Sequence, residues 1–189
     1  MKNFRKALSA LICAVLALSV FPTALVSASE YTNKKGSVKV VCGKYKKTFD
    51  AKNYGKNFAR MLNAALETAG KKASDKKPAK VTIKKGSYTL DRTIRIYSNT
   101  ELIATGSKIR YRGNLLRNNF DGGKNSGKKF SGARNITITG GTWDSDVPYK
   151  DAPKTEDKNL SNTTMRFAHM KNLTIRKVTF KNNYNSHDI

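Results

Sequence analysis

Acidic side chains crowd into one stretch of the chain, and these carboxylates are the groups best suited to chemistry. Five of the 13 acidic residues fall between positions 144 and 157: Asp144, Asp146, Asp151, Glu156 and Asp157. Paired carboxylates act as acid and base across a glycosidic bond, or bind Ca²⁺ through their oxygens. The alternative is a solvated acidic loop balanced by neighbouring lysines, since the stretch has no calcium-loop spacing. We predict that Asp144 and Asp146 contact a substrate.

The histidines and the single tryptophan are the other candidates. His187 precedes Asp188 in a polar turn, where a histidine is able to exchange a proton near neutral pH. We predict His187 and Asp188 as catalytic residues, against the alternative of a polar turn without chemistry. We predict that Trp143 binds substrate by stacking on a sugar ring from an outer face; pointing inward, it would fill the core. We interpret His169 as a structural or surface residue.

Composition limits the class of protein. The chain has 189 residues, with 37 Lys+Arg against 13 Asp+Glu and a net charge of +24. Hydrophobic residues make up 38%, which is enough for a core and argues against a wholly disordered chain. With 2 Cys and 2 His, the chain has too few ligands for a disulfide framework or a Cys-rich zinc module.

The first 28 residues predict a secretory signal peptide. A short basic start is followed by an apolar run over residues 7–25 and then by the small residues Val26-Ser27-Ala28. A membrane anchor is the alternative, and Pro22 argues against it. Removing residues 1–28 takes away three basic residues and no acidic ones, so the mature chain carries a charge of +21. The mature sequence contains no membrane span, and we interpret Cys42 as a buried strand residue.

Export and charge together limit the partners. A surface this basic attracts polyanions, and an exported protein meets acidic polysaccharides and cell-wall polymers. Nucleic acid is disfavoured as a partner because it lies in another compartment. Lys outnumbers Arg by 27 to 10, so most of the charge sits on hydrated ammonium groups and not on planar guanidinium forks.

One helix and many short strands must position the candidate residues. Residues 29–48 form a polar N-terminal segment with one strand-like run at 38–42. A helix is predicted over 57–69, with Asn57 as its N-cap and Gly70 as its stop. The apolar residues of this segment recur on one helical face: Phe58, Met61, Leu62, Ala65, Leu66 and Ala69.

After residue 79 the chain consists of strand-like runs of three to five residues, separated by Gly or Asn. Runs beginning at Asn99, Asn135 and Asn172 start 36 and then 37 residues apart, which indicates an internal repeat. Short strands on a repeat with variable insertions are typical of a β-solenoid, in which asparagines cap turns and form ladders between coils. A sandwich is the alternative, but it needs longer strands, and no Asn-Gly or Asp-Gly hairpin lies between matched runs.

Alternation along these runs predicts which residues form the core. The inward set is Val81, Ile83, Leu90, Ile94, Ile96, Leu102, Ile109, Ile136, Ile138, Leu173, Ile175, Val178 and Phe180. Thr82, Thr137 and Thr174 are predicted to point outward. Truncating an inward residue should therefore destabilise the protein far more than changing an outward one.

Five segments occur in an order found in a known superfamily. They are residues 49–55, ending in Asn53-Tyr54-Gly55; the helix at 57–69; the strand–Gly–Tyr–strand element at 81–90; Gly140-Gly141-Thr142-Trp143-Asp144; and the turn-forming segment 172–183. This order resembles the N-terminal part of right-handed parallel β-helix proteins of the pectate lyase and polygalacturonase superfamily. In that superfamily the fourth segment ends in Gly, and here Ser145 takes its place.

The resemblance implies a fold. It implies an all-β, right-handed parallel β-helix over residues 49–189, with the segment 57–69 as its N-terminal capping helix. The chain stops after its second repeat-bearing coil, so we expect the β-helix to be truncated at its C-terminal end.

The resemblance also implies a function. This function is degradation of an acidic polysaccharide, by a glycoside hydrolase or a polysaccharide lyase. The usual catalytic motifs Asn-Thr-Asp, Asp-Asp and Gly-His-Gly do not occur, so we expect most of the catalytic set to be missing from this chain. The alternative is a non-catalytic module at the cell surface or wall that binds glycan. No cofactor is implied, except Ca²⁺ if the protein acts as a lyase.

Overall fold

The computed structural model describes residues 36–110, 116–118, 132–145 and 164–182. These ranges contain one α-helix, α1 (Phe58–Lys72), preceded by a 3-10 turn at Ala51–Tyr54. They also contain thirteen strands: β1 (Ser37–Cys42), β2 (Tyr45–Asp50), β3 (Ala79–Ile83), β4 (Ser87–Thr89), β5 (Ile94–Ile96), β6 (Thr100–Ile103), β7 (Lys108–Arg110), β8 (Leu116–Asn118), β9 (Ala133–Thr139), β10 (Thr142–Asp144), β11 (Met165–Arg166), β12 (Met170–Arg176) and β13 (Thr179–Lys181). The described part of the chain is thus mostly strand, as expected.

The strands form three sheets. The first sheet has the order β12-β9-β6-β3-β1-β2, the second β13-β10-β7-β4, and the third β11-β8-β5. From β3 onward all the pairs are parallel, and consecutive strands go to the first, second and third sheets in turn. The chain therefore returns to the same sheet at every third strand, which confirms the expectation of parallel sheets.

An antiparallel hairpin begins the described fold. Cys42 pairs with Tyr45 across a two-residue turn, and Gly43 takes a φ of +56° there. A positive φ is open to glycine because it lacks a Cβ. Strand β1 then pairs with β3 in an antiparallel manner, with Val38, Val40 and Cys42 buried. Sequence reasoning missed this hairpin, and the boundary drawn between residues 48 and 49 falls inside β2.

Helix α1 begins where its cap predicts and ends later than expected. The Oδ1 of Asn57 accepts a hydrogen bond from the backbone N–H of Arg60 at 2.9 Å, as an N-cap should. The helix continues through Gly70 to Lys72, so the prediction of Gly70 as a stop is wrong. A Cβ on Gly70 would lie 2.6 Å from the Cβ of Tyr97, so this glycine permits close packing inside the helix.

The apolar face of α1 covers one end of the sheets. The helix packs on β1, β3 and β5, and its predicted apolar residues are all fully buried. The ring of Phe58 stacks on Tyr88 with 3.8 Å between centroids and 4° between planes. Asn63 fastens the helix to β5, since its Oδ1 accepts from the N–H of Arg95 at 2.9 Å. Among the described residues, no helix has the length and apolarity needed to cross a bilayer.

The core agrees with the alternation of the sequence through most of the fold. The predicted inward residues of β3 to β9, and Leu90, are all at most 3% exposed. The four inward residues of the last strands are only half-buried: Leu173, Ile175, Val178 and Phe180. Within the described ranges, β12 and β13 have a partner strand on one side only, which accounts for the difference. Thr82 and Thr174 are exposed, and Thr137 is partly covered.

Candidate functional site

The second sheet presents two rows of side chains outward. Its inner row consists of residues in register, buried or half-buried: Tyr88, Ile109, Trp143 and Phe180. Residues on either side of them must point outward, since side chains alternate along a strand. The first outer row is Ser87, Lys108, Thr142 and Thr179, and the second is Thr89, Arg110, Asp144 and Lys181.

A groove of about 300 Å³ runs beside the first outer row. It is lined by two lysines, three hydroxyl-bearing residues and two glycines: Lys108, Lys177, Ser107, Thr142, Thr179, Gly106 and Gly141. Ammonium groups attract carboxylates, and hydroxyls both donate and accept hydrogen bonds. Such a lining suits a ligand that carries negative charge together with many hydroxyls.

Tight turns before the strands create this groove. Gly106, Gly140 and Gly141 have φ values of +73°, +72° and +92°, which place them in the left-handed region. A Cβ on Gly140 would lie 2.8 Å from the Oγ1 of Thr105 and 2.9 Å from its Cα. The turn before β10 therefore approaches the preceding turn more closely than a side chain would allow.

Trp143 lies on the inner side of the second sheet, where it does not present its ring for the predicted stacking on a sugar. It is fully buried, and its indole N–H donates to the carbonyl of Gly140 at 3.2 Å. A residue at the centre of a three-residue strand faces the core when both neighbours face outward. Tyr88 belongs to the same inner row. Its hydroxyl donates to the carbonyl of Lys84 at 2.6 Å, and burial raises the pKa of the phenol.

Asp144 lies on the outer face, in register with Arg110 and Lys181. It is 7% exposed, and its Oδ1 accepts a hydrogen bond from the Nδ2 of Asn182 at 2.8 Å. This carboxylate is therefore part of the face that borders the groove, but it is enclosed and flanked by positive charge. Its contacts suit it to fixing the positions of neighbouring side chains in the second outer row.

Ser145 has a structural role that explains its replacement of the expected glycine. It is fully buried, and its Oγ lies 3.0 Å from the Oγ1 of Thr164, which is also buried. These two residues flank the stretch 146–163, so their hydrogen bond joins its two ends. Asp146, Asp151, Glu156 and Asp157 belong to that stretch and lie outside the described residues.

Of the other candidates, His169 and Cys42 lie within the described residues, and neither lines the groove. His187 and Asp188 lie outside the described residues. His169 is exposed with a φ of +52°, and its carbonyl accepts from the N–H of Gly132 at 2.6 Å, which is a structural role. Cys42 is 1% exposed and its Sγ lies 3.2 Å from the carbonyl of Lys72, so its interpretation as a buried strand residue is confirmed.

A metal centre has no support from the described residues. Within those ranges, no three His, Cys, Asp or Glu side chains come together as a possible ligand set. The prediction of Ca²⁺ depends on the acidic stretch, most of which lies beyond those ranges.

Sequence reasoning missed the groove because no single motif encodes it. Thr142 and Thr179 each follow a repeat asparagine, Asn135 or Asn172, by seven residues. That common offset was the available signal, since equal offsets in a parallel repeat place residues side by side. Comparisons with protein-family models, with characterised proteins and with solved structures find no match to this chain.

Proposed function

We propose that the chain is part of a right-handed parallel β-helix, secreted or at the cell surface, that binds an acidic polysaccharide in the groove of the second sheet. The fold proposal is supported by the return of the chain to the same sheet at every third strand. Parallel crossover connections are right-handed in nearly all proteins. It agrees with the resemblance to the pectate lyase and polygalacturonase superfamily.

The groove lining carries the binding proposal. Lys108 and Lys177 supply positive charge, and Thr142 and Thr179 supply hydroxyls at the same groove. Ser107 is buried, and its hydroxyl donates to the carbonyl of Lys84 at 3.4 Å. A polyuronate needs both, because each of its sugars has a carboxylate and free hydroxyls. The charge of +21 on the exported chain favours the same ligand class through long-range attraction.

Binding is better supported than cleavage. Glycosidases of the common kind place two carboxyl groups across the scissile bond. On the described outer face of the second sheet, Asp144 is the one carboxylate, and it is enclosed by its hydrogen bond with Asn182. We therefore propose a binding function for the described face, which is the alternative to degradation that the sequence left open.

Titration of the exported chain with oligogalacturonate tests this proposal. We expect the double change Lys108→Gln with Lys177→Gln to weaken binding about tenfold. This is the affinity lost with one charge-assisted hydrogen bond, or with two ion pairs that are screened by solvent. The matched control is Lys39→Gln with Lys46→Gln, which removes the same charge from exposed positions on the hairpin. Equal losses in both variants would reject the groove as the binding site.

The same mixtures separate binding from degradation. Hydrolysis would release new reducing ends, and β-elimination would in addition produce an unsaturated uronide that absorbs in the ultraviolet. A binding module leaves the oligogalacturonate length unchanged over hours. Shortened products in amounts that scale with protein concentration would replace the binding proposal with an enzymatic one.

A further inference from the structure

The third sheet carries three arginines in one outward row. Arg95 of β5, Arg117 of β8 and Arg166 of β11 are in register across the parallel strands. The residues that precede them are fully buried: Ile94, Leu116 and Met165. Alternation therefore points the three guanidinium groups outward, about 4.8 Å apart from strand to strand. We call this row the arginine ladder.

The arginine ladder is not neutralised by the described residues. The ion pairs formed within those ranges join other cations to acids, and none of them includes Arg95, Arg117 or Arg166. Like charges directly opposite each other in a sheet are unfavourable. Burial is the main cause that lowers the pKa of Arg117, and the charges of Arg95 and Arg166 lower it further. An anion laid along the row would remove this cost.

The composition of the ladder differs from that of the other outward rows. On the second sheet each outer row mixes cations with hydroxyls or with Asp144. On the first sheet Glu101 accepts from Arg176 at 2.8 Å and lies 3.9 Å from Lys80, so these two cations share a carboxylate. The ladder is also entirely arginine in a chain with 27 Lys and 10 Arg. Arginine supplies a planar fork that takes a carboxylate through two hydrogen bonds, which lysine does not.

A second groove continues the ladder toward α1. It has a volume of about 310 Å³ and shares Arg95 with the ladder. Arg60 and Arg92 add two further cations to its lining, and Tyr97 adds an aromatic ring. Glu67 adds one carboxylate, which is paired with Lys71 at 2.6 Å. Arg92 is paired with Asp91 at 2.8 Å, so its charge is partly compensated. The basic surface thus extends from the third sheet to the exposed side of the helix.

We propose that the arginine ladder and this second groove form a separate binding track for a linear, carboxylated polysaccharide that runs across the strands. Each rung would take one carboxylate in a guanidinium fork, and the chain would continue past Arg95 into the groove beside α1. Proteins that bind single-stranded nucleic acid place aromatic side chains among their cations to stack on bases. Among the described residues of this track, Tyr97 is the one aromatic side chain, against five arginines, which favours a ligand recognised through its anionic groups. This site lies on a different sheet from the groove of the proposed function and does not depend on it.

Three variants test the ladder with an oligogalacturonate probe. The triple change Arg95→Gln, Arg117→Gln and Arg166→Gln removes the charge and the forks. The triple change to Lys keeps the charge and removes only the forks. The control Lys39→Gln, Lys46→Gln and Lys84→Gln removes three charges from exposed positions elsewhere. We expect the Gln ladder variant to lose about a hundredfold in affinity, the Lys ladder variant about tenfold, and the control no more than about threefold.

Other outcomes would overturn the proposal in distinct ways. A control that loses as much as the Gln ladder variant would reduce the effect to net charge. A Lys ladder variant that binds like the parent would exclude recognition by forks. Equal losses for oligogalacturonate and for single-stranded DNA of equal charge would replace the carboxylated ligand with any polyanion.

Two further measurements separate a loss of binding at the ladder from a loss of stability and from a change at the groove of the second sheet. Arg117→Gln removes repulsion within the row, so we expect its urea midpoint to stay unchanged or rise; a fall would give the arginine a structural role. The Lys108→Gln and Lys177→Gln variant, titrated in parallel, reports on the groove of the second sheet alone. Loss in the ladder variants with none in that pair would support the ladder and reject the proposed function, and the reverse result would do the opposite.

Discussion

Asn172 donates a hydrogen bond from its Nδ2 to the Oδ1 of Asn135 at 2.8 Å, and Asn135 donates in the same way to Asn99 at 2.8 Å. The three residues have φ values of +60°, +54° and +57°. Each stands immediately before or inside the first-sheet strand of its repeat, at the turn that leads into that sheet. The side-chain amides therefore form a continuous row of hydrogen bonds that joins the same turn in three successive repeats.

Replacement of the central asparagine separates the two roles of this ladder. Asn135→Gly keeps the positive φ accessible and removes both hydrogen bonds of the ladder, each worth about 1 kcal/mol or less at a partly exposed site. It also removes a longer bond of 3.4 Å from Asn135 to Asp75. Asn135→Ala removes the same bonds and adds about 1–2 kcal/mol for a left-handed alanine. We expect urea denaturation to rank the stabilities as parent, then Gly, then Ala. A Gly variant as stable as the parent would leave the amide bonds without a net contribution.

Two isoleucines on neighbouring strands of the first sheet should differ in what they contribute. Ile138 is fully buried, so Ile138→Ala should cost about 2–5 kcal/mol of unfolding free energy. Ile175 is in register with it but half-buried, so Ile175→Ala should cost about half as much. Thr174→Lys, at an exposed position, is the control and should change stability by less than about 0.5 kcal/mol. Equal costs for the two isoleucines would show that Ile175 is covered in solution.

The close approach at Gly140 predicts a large effect from a single methyl group. Gly140→Ala forces a left-handed alanine, at about 1–2 kcal/mol, and presses its Cβ against the backbone of Thr105, at about 1–3 kcal/mol more. Gly55→Ala is the matched control, because Gly55 has a φ of +64° and no atom within 4 Å of an added Cβ. Thermal unfolding of the two variants should differ clearly. Similar melting temperatures would mean that the turns move apart without cost.

Asp91 links stability to acid. The hydrogen bonds from Arg92 and then Asn57 lower the pKa of Asp91 to about 2, from an ordinary value of 3.8. A carboxyl group with a lowered pKa in the folded state stabilises the protein fully above pH 3.8, and this stabilisation is lost as the pH falls toward 2. The side chain is 46% exposed, so solvent screening limits its contribution to less than about 1 kcal/mol.

Two variants isolate the contribution of Asp91. Asp91→Asn should lower the urea midpoint at pH 6 and should flatten its decline between pH 4 and pH 2. Arg92→Gln removes the largest cause of the shift, so the pKa of Asp91, followed by NMR of its carboxyl carbon, should rise. An unchanged pKa in Arg92→Gln would assign the shift to Asn57 instead.

Local pattern and repeat spacing carried most of the fold. Alternation along the strands correctly predicted the buried residues from Val81 to Ile138, because in such short strands every second side chain faces the core. The apolar face and Asn57 gave the helix. The prediction that Gly70 ends the helix is wrong, because a glycine that ends a helix and a glycine that makes room for a neighbouring ring look the same in sequence. The sequence predicted a strand at 38–42 but not its hairpin partner β2, because β2 has two lysines in six residues and little apolar alternation.

The candidate site was far less predictable than the fold. Trp143 was assigned to an outer face from its residue type, whereas its position between two outward residues of a three-residue strand buries it. Lys108, Thr142 and Thr179 lie far apart in sequence and meet only through strand register. Register depends on the lengths of the intervening turns, which vary between repeats and follow no local rule.

The near-constant spacing of the asparagine rungs, 36 and then 37 residues, gives successive repeats nearly the same entropic cost of assembly. Closing a loop costs entropy that grows with the logarithm of its length, so the two closures differ by well under about 0.1 kcal/mol. The stabilisation from apolar burial differs more, because the inward residues of the strands near α1 are fully buried and those of β12 and β13 are only half-buried. Folding is therefore expected to start at the helix and to proceed one repeat at a time, as nearest-neighbour cooperativity allows. Amides in β3 and β6 should exchange with solvent more slowly than those in β12.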